Sequence, residues 1–170
     1  MNNLELFSQV HTFIFDVDGV LTNSQVLVMQ DGQLLRQMSI RDGYALRRAV
    51  EQGYRVVVIS GGKSEGVKIR LQNLGVTDVY LGIQEKLATY EDVVAMYDLD
   101  EGGILYLGDD LPDYDVMRRV GLPACPADAA PEIKRIAQYI SPLGGGEGCA
   151  RDVIEKVLKL NGHWEAQVAK

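Results

Sequence analysis

Short apolar runs alternate along this chain with amphipathic stretches of helical period. The runs Val10–Asp16 and Tyr54–Ile59 are rich in β-branched and aromatic residues and predict strands buried on both faces, and Val76–Leu81, Gly103–Leu107 and Leu122–Cys125 predict further short strands. Helices are expected between them. One covers Gly43–Gln52, with Asp42 as its cap and Gly53 as its stop. A second covers Glu65–Leu74 behind Ser64. Further helices are expected over Gln84–Tyr97, from Pro112 to Val120, over Ala130–Gln138 and over Cys149–Leu160. A short amphipathic lead-in, Leu4–Gln9, precedes the first strand. Between Ser24 and Ser39, apolar runs flank Asp31-Gly32, which predicts a β-hairpin directly after the first strand. Strands and helices alternating at this spacing imply right-handed crossovers. The expected fold class is α/β, a three-layer Rossmann-like parallel sheet with a hairpin insertion.

Composition narrows the function classes. The 170 residues suffice for one domain with a real core, expected to span 1–170. With 46% hydrophobic and 24% charged residues the chain reads as soluble and globular. A net charge of −7 disfavours a nucleic-acid partner, and an anionic substrate would need local cations or a metal. Cys125 and Cys149 form no CxxC pair and are too few for a disulfide scaffold, so a reducing compartment is expected. The first ten residues lack the basic region and apolar core of a signal peptide, and no run reaches the ~18 apolar residues of a membrane span. A cytoplasmic location follows as an expectation. The glycine-rich run from Gly144 to Gly148 reads, by composition, as a flexible linker.

The chemistry gathers at the carboxyl ends of the expected strands, where open α/β sheets bind ligands. Asp16 and Asp18 are two apart on an extended backbone, so their carboxylates project the same way. Gly19 then lets the chain turn. Two adjacent acids repel unless a cation or a shared proton intervenes. The second strand ends in Ser60-Gly61, whose hydroxyl and backbone amide suit a phosphate. Lys86 starts a helix, and Asp109, Asp110 and Asp113 follow another strand. Hard oxygen ligands of this kind suit Mg2+. Singly, each has a plain reading: Ser60 as a cap, Lys86 as a solvated helix lysine, Gly108 to Asp113 as an acidic helix start. Together they are the parts of a phosphoryl-transfer site.

In that order, Asp16 to Thr22 (DVDGVLT), Ile59 to Gly62 (ISGG), Lys86 and Gly108 to Asp113 (GDDLPD) resemble the four motifs of the haloacid dehalogenase superfamily, and the likeness extends to its branch without a cap domain. Arg41–Leu46, Arg70–Val76 and the Gly144–Leu158 segment take part in it. The resemblance implies an Mg2+-dependent phosphatase of a phosphorylated eight-carbon keto sugar acid in lipopolysaccharide synthesis. Alternatives are the nine-carbon ester or a non-catalytic assembly module. Asp16 is implied as nucleophile and Asp18 as general acid and base, its backbone carbonyl also meeting the metal. Ser60 and Gly61 are implied as phosphoryl contacts, Lys86 as charge neutraliser, Asp109 as metal ligand, and Asp113 and Asp110 as support. Lys63, Arg70, Arg41 and Arg151 are the candidate cations for the sugar carboxylate. A homotetramer is implied, in which the hairpin and the glycine-rich tail complete neighbouring sites. One departure stands out: many relatives carry an arginine where this chain has Gly62 followed by Lys63.

Overall fold

The computed structural model describes residues 2–165. In chain order the elements are α1 (Asn3–Gln9), β1 (Thr12–Phe15), the hairpin strands β2 (Leu27–Val28) and β3 (Leu34–Leu35), α2 (Ile40–Glu51), β4 (Arg55–Ile59) and α3 (Glu65–Asn73). Next come β5 (Asp78–Tyr80), α4 (Lys86–Tyr97), β6 (Ile104–Leu107), α5 (Tyr114–Met117), β7 (Leu122–Cys125), α6 (Pro131–Ile136), β8 (Tyr139–Ile140) and α7 (Cys149–Leu160). Six strands pair in parallel in the order β5-β4-β1-β6-β7-β8, and the hairpin forms its own two-stranded antiparallel sheet. This is the α/β, Rossmann-like architecture expected of the pattern, without a cap domain.

Alternation along the strands builds two cores. Phe13 and Phe15 of β1, with Val56 and Val58 of β4, face a layer formed by α2, α3 and α7. Ile14, Val57, Ile59 and Tyr106 face the other way, against Tyr90 and Val93 of α4, Val116 of α5 and Ile133 of α6. Every residue of β1 is buried, because a helix layer covers each face of the sheet. β1 lies between β4 and β6, with Phe15 level with Val58 on one side and Leu107 on the other. The residues just beyond these three strand ends therefore become neighbours.

Four details differ from the sequence reading. Helix α2 starts three residues early, with Ser39 as its cap; the Ser39 hydroxyl accepts from the Asp42 amide. Asp42 caps a different helix: its Oδ1 accepts from the backbone N–H of Arg151 at 2.9 Å, in the first turn of α7. α7 has no cap of its own, since Gly148 precedes it, so the buried carboxylate reaches across from α2. After α6 the chain adds β8 at the sheet edge, beyond the last expected strand. The helix after Pro112 is only a 3-10 turn followed by the one-turn α5.

The glycine run is packed rather than loose. Gly144 and Gly145 are buried, the Gly145 amide donates to Asp128 at 2.9 Å, and the Gly146 amide donates to the Val20 carbonyl at 2.9 Å. A Cβ on Gly145 would overlap the Gly19 carbonyl. Glycine is present so that two backbones can touch, which corrects the compositional reading of this run as a flexible linker. Gly145→Ala is expected to destabilise the fold by about 1–3 kcal/mol through overpacking. Chemical denaturation measures it, and a midpoint equal to wild type would show that the contact carries no weight.

Candidate active site

Three strand ends and one helix start meet in a cleft of about 470 Å3 at the carboxyl edge of the sheet. β1 delivers Asp16 and, across a tight turn, Asp18. β4 delivers Ser60 and Gly61, α4 begins with Lys86, and β6 leads into Asp109 and Asp110; all of them line the cleft. Asp113 lies just beneath, fully buried.

Lys86 is the pivot. Its ammonium is 2.9 Å from Asp16 Oδ1 and 2.7 Å from Asp113 Oδ1, with the residue only 4% exposed. Burial alone would lower its pKa, but Asp113 and Asp16 outweigh it and raise it, so Lys86 is a permanent cation. Asp113 is held from every side: Tyr106 donates to Oδ1 at 2.6 Å, and the Asp109 amide donates to Oδ2 at 3.0 Å. With its oxygens committed, Asp113 serves as the anchor that fixes Lys86.

Asp16 Oδ1 accepts from the Val17 amide at 2.7 Å as well as meeting Lys86. Among the described residues, its Oδ2 takes no hydrogen bond. Burial and the nearby Asp113 push its carboxyl up to about 7, against the pull of Lys86. Burial and the charges of Asp16, Asp113 and Asp110 push Asp109 up to about 8. Oxygens of Asp16, Asp109 and Asp113 converge within 4.8 Å. Three carboxylates thus converge where one ammonium meets only two of them, Asp16 and Asp113, a deficit of positive charge that a divalent cation fits. Hard carboxylate donors favour Mg2+, with Asp16 and Asp109 as the ligands still free to turn toward it. Gly19, at φ +86°, keeps the space clear, because a Cβ there would overlap the Asp109 carboxylate.

The Asp18 side chain stands apart from that convergence. Arg36, immediately after β3, grips both its oxygens, Nε to Oδ1 at 2.6 Å and Nη2 to Oδ2 at 3.1 Å. This leaves the carboxylate at the cleft wall and is compatible with the implied metal role of its backbone carbonyl. Ser60 is 1% exposed, and its Oγ accepts from the Gly62 amide at 3.2 Å, which holds the loop in a tight turn. Arg36 and Tyr106 escaped the sequence reading. Tyr106 looked like one apolar position in a strand, and Arg36 carried no local motif.

The candidate substrate cations lie elsewhere in the chain. Lys63 is exposed and lays its stem beside Gly82. Arg70 packs against Gly43 and lines a groove with Met38 and Ile40. Arg41 and Arg151 line a separate groove beside α7, where Arg151 pairs with Glu155 at 3.0 Å and lies over the rings of Tyr44 and Trp164. The chain by itself brings none of these four to the carboxylate cleft.

No family model matches the sequence. Known proteins do. The chain is 35% identical over 153 residues to the 3-deoxy-D-manno-octulosonate 8-phosphate phosphatase of Escherichia coli strain K12, covering 90% of this chain and 81% of that one. The crystal structure of the Yersinia pestis phosphatase of the same name superposes with a TM-score of 0.92 at 31% identity, over 96% of this chain and 88% of that one. The Moraxella catarrhalis phosphatase, solved with a magnesium ion, a phosphate ion and a KDO molecule, gives 0.91 at 25% identity, over 95% and 92%.

The raised carboxyls set a testable pH dependence. Asp16 and Asp109 keep protons in the folded chain up to about 7 and 8, while the unfolded chain releases them near 3.8. Between those limits the unfolded state binds fewer protons, so stability falls as pH rises. In chelator, the thermal midpoint is expected to drop from pH 5 to pH 8. Saturating Mg2+ should flatten that drop, and Asp16→Asn should make it shallower without metal. A midpoint indifferent to pH, metal and the substitution would refute the crowded-carboxylate account.

Proposed function

The chain belongs to the 3-deoxy-D-manno-octulosonate 8-phosphate phosphatases of the haloacid dehalogenase superfamily, and we propose that it hydrolyses that ester to the free eight-carbon sugar acid and phosphate. The observation that carries this reading is Asp16, held by Lys86 through one oxygen and lining the same cleft as Ser60 and Asp109. We assign the whole chain to one phosphatase domain.

In the assigned reaction Asp16 Oδ2 attacks phosphorus, the bond from phosphorus to the sugar oxygen breaks, and Asp18 gives its proton to the departing oxygen. A water then attacks the aspartyl-phosphate, Asp18 takes its proton, and the bond between Asp16 and phosphorus breaks. Splitting the displacement in two lets one carboxylate serve as acid and then as base. We assign Ser60 Oγ and the Gly61 amide, both on residues that line the cleft, to the phosphoryl oxygens. Lys86 offsets charge on Asp16 and on the phosphoryl group, and Asp113 keeps Lys86 from swinging out. Mg2+, held by Asp16 and Asp109 with the Asp18 carbonyl, supplies the charge that keeps Asp16 ionised and the phosphoryl group aligned.

We assign the enzyme to the cytoplasm and to a homotetramer. Both cysteines are free and buried, in keeping with a reducing compartment. Among the described residues no helix is long and apolar enough to cross a membrane. The hairpin supports the assembly: Leu27 and Val28 are 63% and 65% exposed, with Met29, Leu34 and Leu35 beside them. Such a contiguous apolar arm marks an interaction surface. In the tetramer, Arg41, Arg70 and Arg151 would serve a neighbour's cleft.

Phosphate release from the eight-carbon ester is expected with Mg2+ and not with chelator. Asp16→Asn is expected to lose turnover by a factor of ~10^4 or more, leaving only uncatalysed-like rates, with the fold intact by circular dichroism. Faster turnover of the nine-carbon ester would move the substrate assignment. No release from either ester would favour the assembly-module alternative.

A further inference from the structure

We propose that Arg36 is a positioning residue for Asp18, through which the hairpin becomes part of the acid–base machinery. The proposal rests on the phosphatase reading above. Arg36 is the first residue after the hairpin, yet its side chain is only 8% exposed, against 41% for that of Asp18. The arginine is the more covered of the two side chains, and the carboxylate lines the cleft. Both Asp18 oxygens are taken in a fork, at 2.6 and 3.1 Å. A fork fixes the rotation of the carboxylate as well as its distance, which a single-point ammonium does not.

The surroundings make room for this pair. A Cβ on Gly62 would stand 3.0 Å from Arg36 Nη2 and 3.1 Å from Asp18 Oδ2, closer than side chains ordinarily approach. The backbone conformation at Gly62 does not demand glycine, so the missing side chain serves the space around the fork. Among the described residues, the Arg36–Asp18 bridge is the one ion pair joining the hairpin to the rest of the chain. The hairpin strands are two residues long and exposed, with no ladder to the main sheet. A displacement of the hairpin is therefore passed to the carboxylate, which the fork holds in the ionised form that takes a proton from water, and which must free one oxygen from the fork to carry a proton to the leaving oxygen. Docking of the apolar arm on another copy of the chain would set Asp18 by the same route.

The test compares Arg36→Ala and Arg36→Lys with wild type on the eight-carbon ester with Mg2+, reading kcat and KM separately. Arg36→Ala is expected to lower kcat ~10- to 100-fold, the scale of a misplaced catalytic group, with KM within about twofold. Arg36→Lys keeps the charge and loses the fork, so it should recover only part of that loss. Unchanged kcat, full recovery by lysine, or an effect confined to KM would overturn the proposal. Gly62→Ala crowds the same fork while keeping both charges, and it should lower kcat in the same direction if Arg36→Ala does not fold. Crystals of the Arg36 variants read the Asp18 side chain directly. A new Asp18 orientation supports the proposal, and an unmoved one overturns it. Failure of wild type to release phosphate would instead strike the assigned reaction, and the crystals would still decide the positioning.

Discussion

The site depends on one buried ammonium shared by two carboxylates. Lys86 has almost no contact with water, and an unpaired charge there would cost several kcal/mol. Asp113 makes the position tenable. It lies fully buried in a pocket of donors, the Tyr106 hydroxyl and the amides that follow β6, which satisfy the oxygens that the ammonium leaves open. Lys86 is thereby tied to the end of one strand and Asp16 to the end of the next. Removing Lys86 would leave two buried carboxylates without compensation, typically at ~3–5 kcal/mol, whereas loss of Asp16 would leave Lys86 matched with Asp113. The catalytic geometry and the stability of the sheet's carboxyl edge are thus the same interaction.

The parts of this arrangement that were legible in the sequence are those carried by local rules. Asp16 and Asp18 follow a run that can only be a buried strand, and the glycine after them permits the turn. Ser64 opens a helix as its chemistry suggests, and Asp31-Gly32 makes the hairpin turn. What was not legible depends on partners far away in the chain. Ser39 and Asp42 are both good caps, and only the start of α7, 109 residues from Asp42, decides that Asp42 is used elsewhere. β8 is two residues long, too short to leave a periodic pattern, and exists because β7 offers it an edge. A glycine run reads the same whether it is loose or pressed against another backbone; the closeness of Gly145 to Gly19 shows which. Lys86 as a solvated helix lysine was a fair local reading, overturned by burial between two acids.

The packed glycine run has a structural consequence for the first motif. The loop from Asp16 to Thr22 carries the two carboxylates proposed for catalysis and a left-handed glycine, and such a loop is mobile unless braced. Gly145 and Gly146 brace it from beneath, through the Val20 carbonyl and the contact with Gly19. Asp128 holds the brace in turn, and Cys149 Sγ donates to the same Val20 carbonyl at 3.2 Å. The C-terminal segment therefore acts on the site from below, as a support, within the chain that carries it.

Charge balance then argues for what must come from outside the chain. The cleft offers one ammonium, Lys86, already shared by Asp16 and Asp113, and one guanidinium, Arg36, already spent on Asp18. Against these stand Asp16, Asp18, Asp109, Asp110 and Asp113, on a chain whose net charge is −7. A phosphorylated sugar acid brings a phosphate and a carboxylate more, and like charges at such distances repel by several kcal/mol unless offset. A divalent cation between Asp16 and Asp109 answers the phosphate. It does not answer the carboxylate at the far end of the sugar; among the described residues the cation next in the chain to the cleft lining is exposed Lys63, which follows Gly62. Arg41, Arg70 and Arg151 are near the hairpin and α7, on surfaces that a second copy would cover. The proposed assembly would bring further cations toward the proposed substrate, and the exposed hairpin that would join the copies is tied, through Arg36, to Asp18.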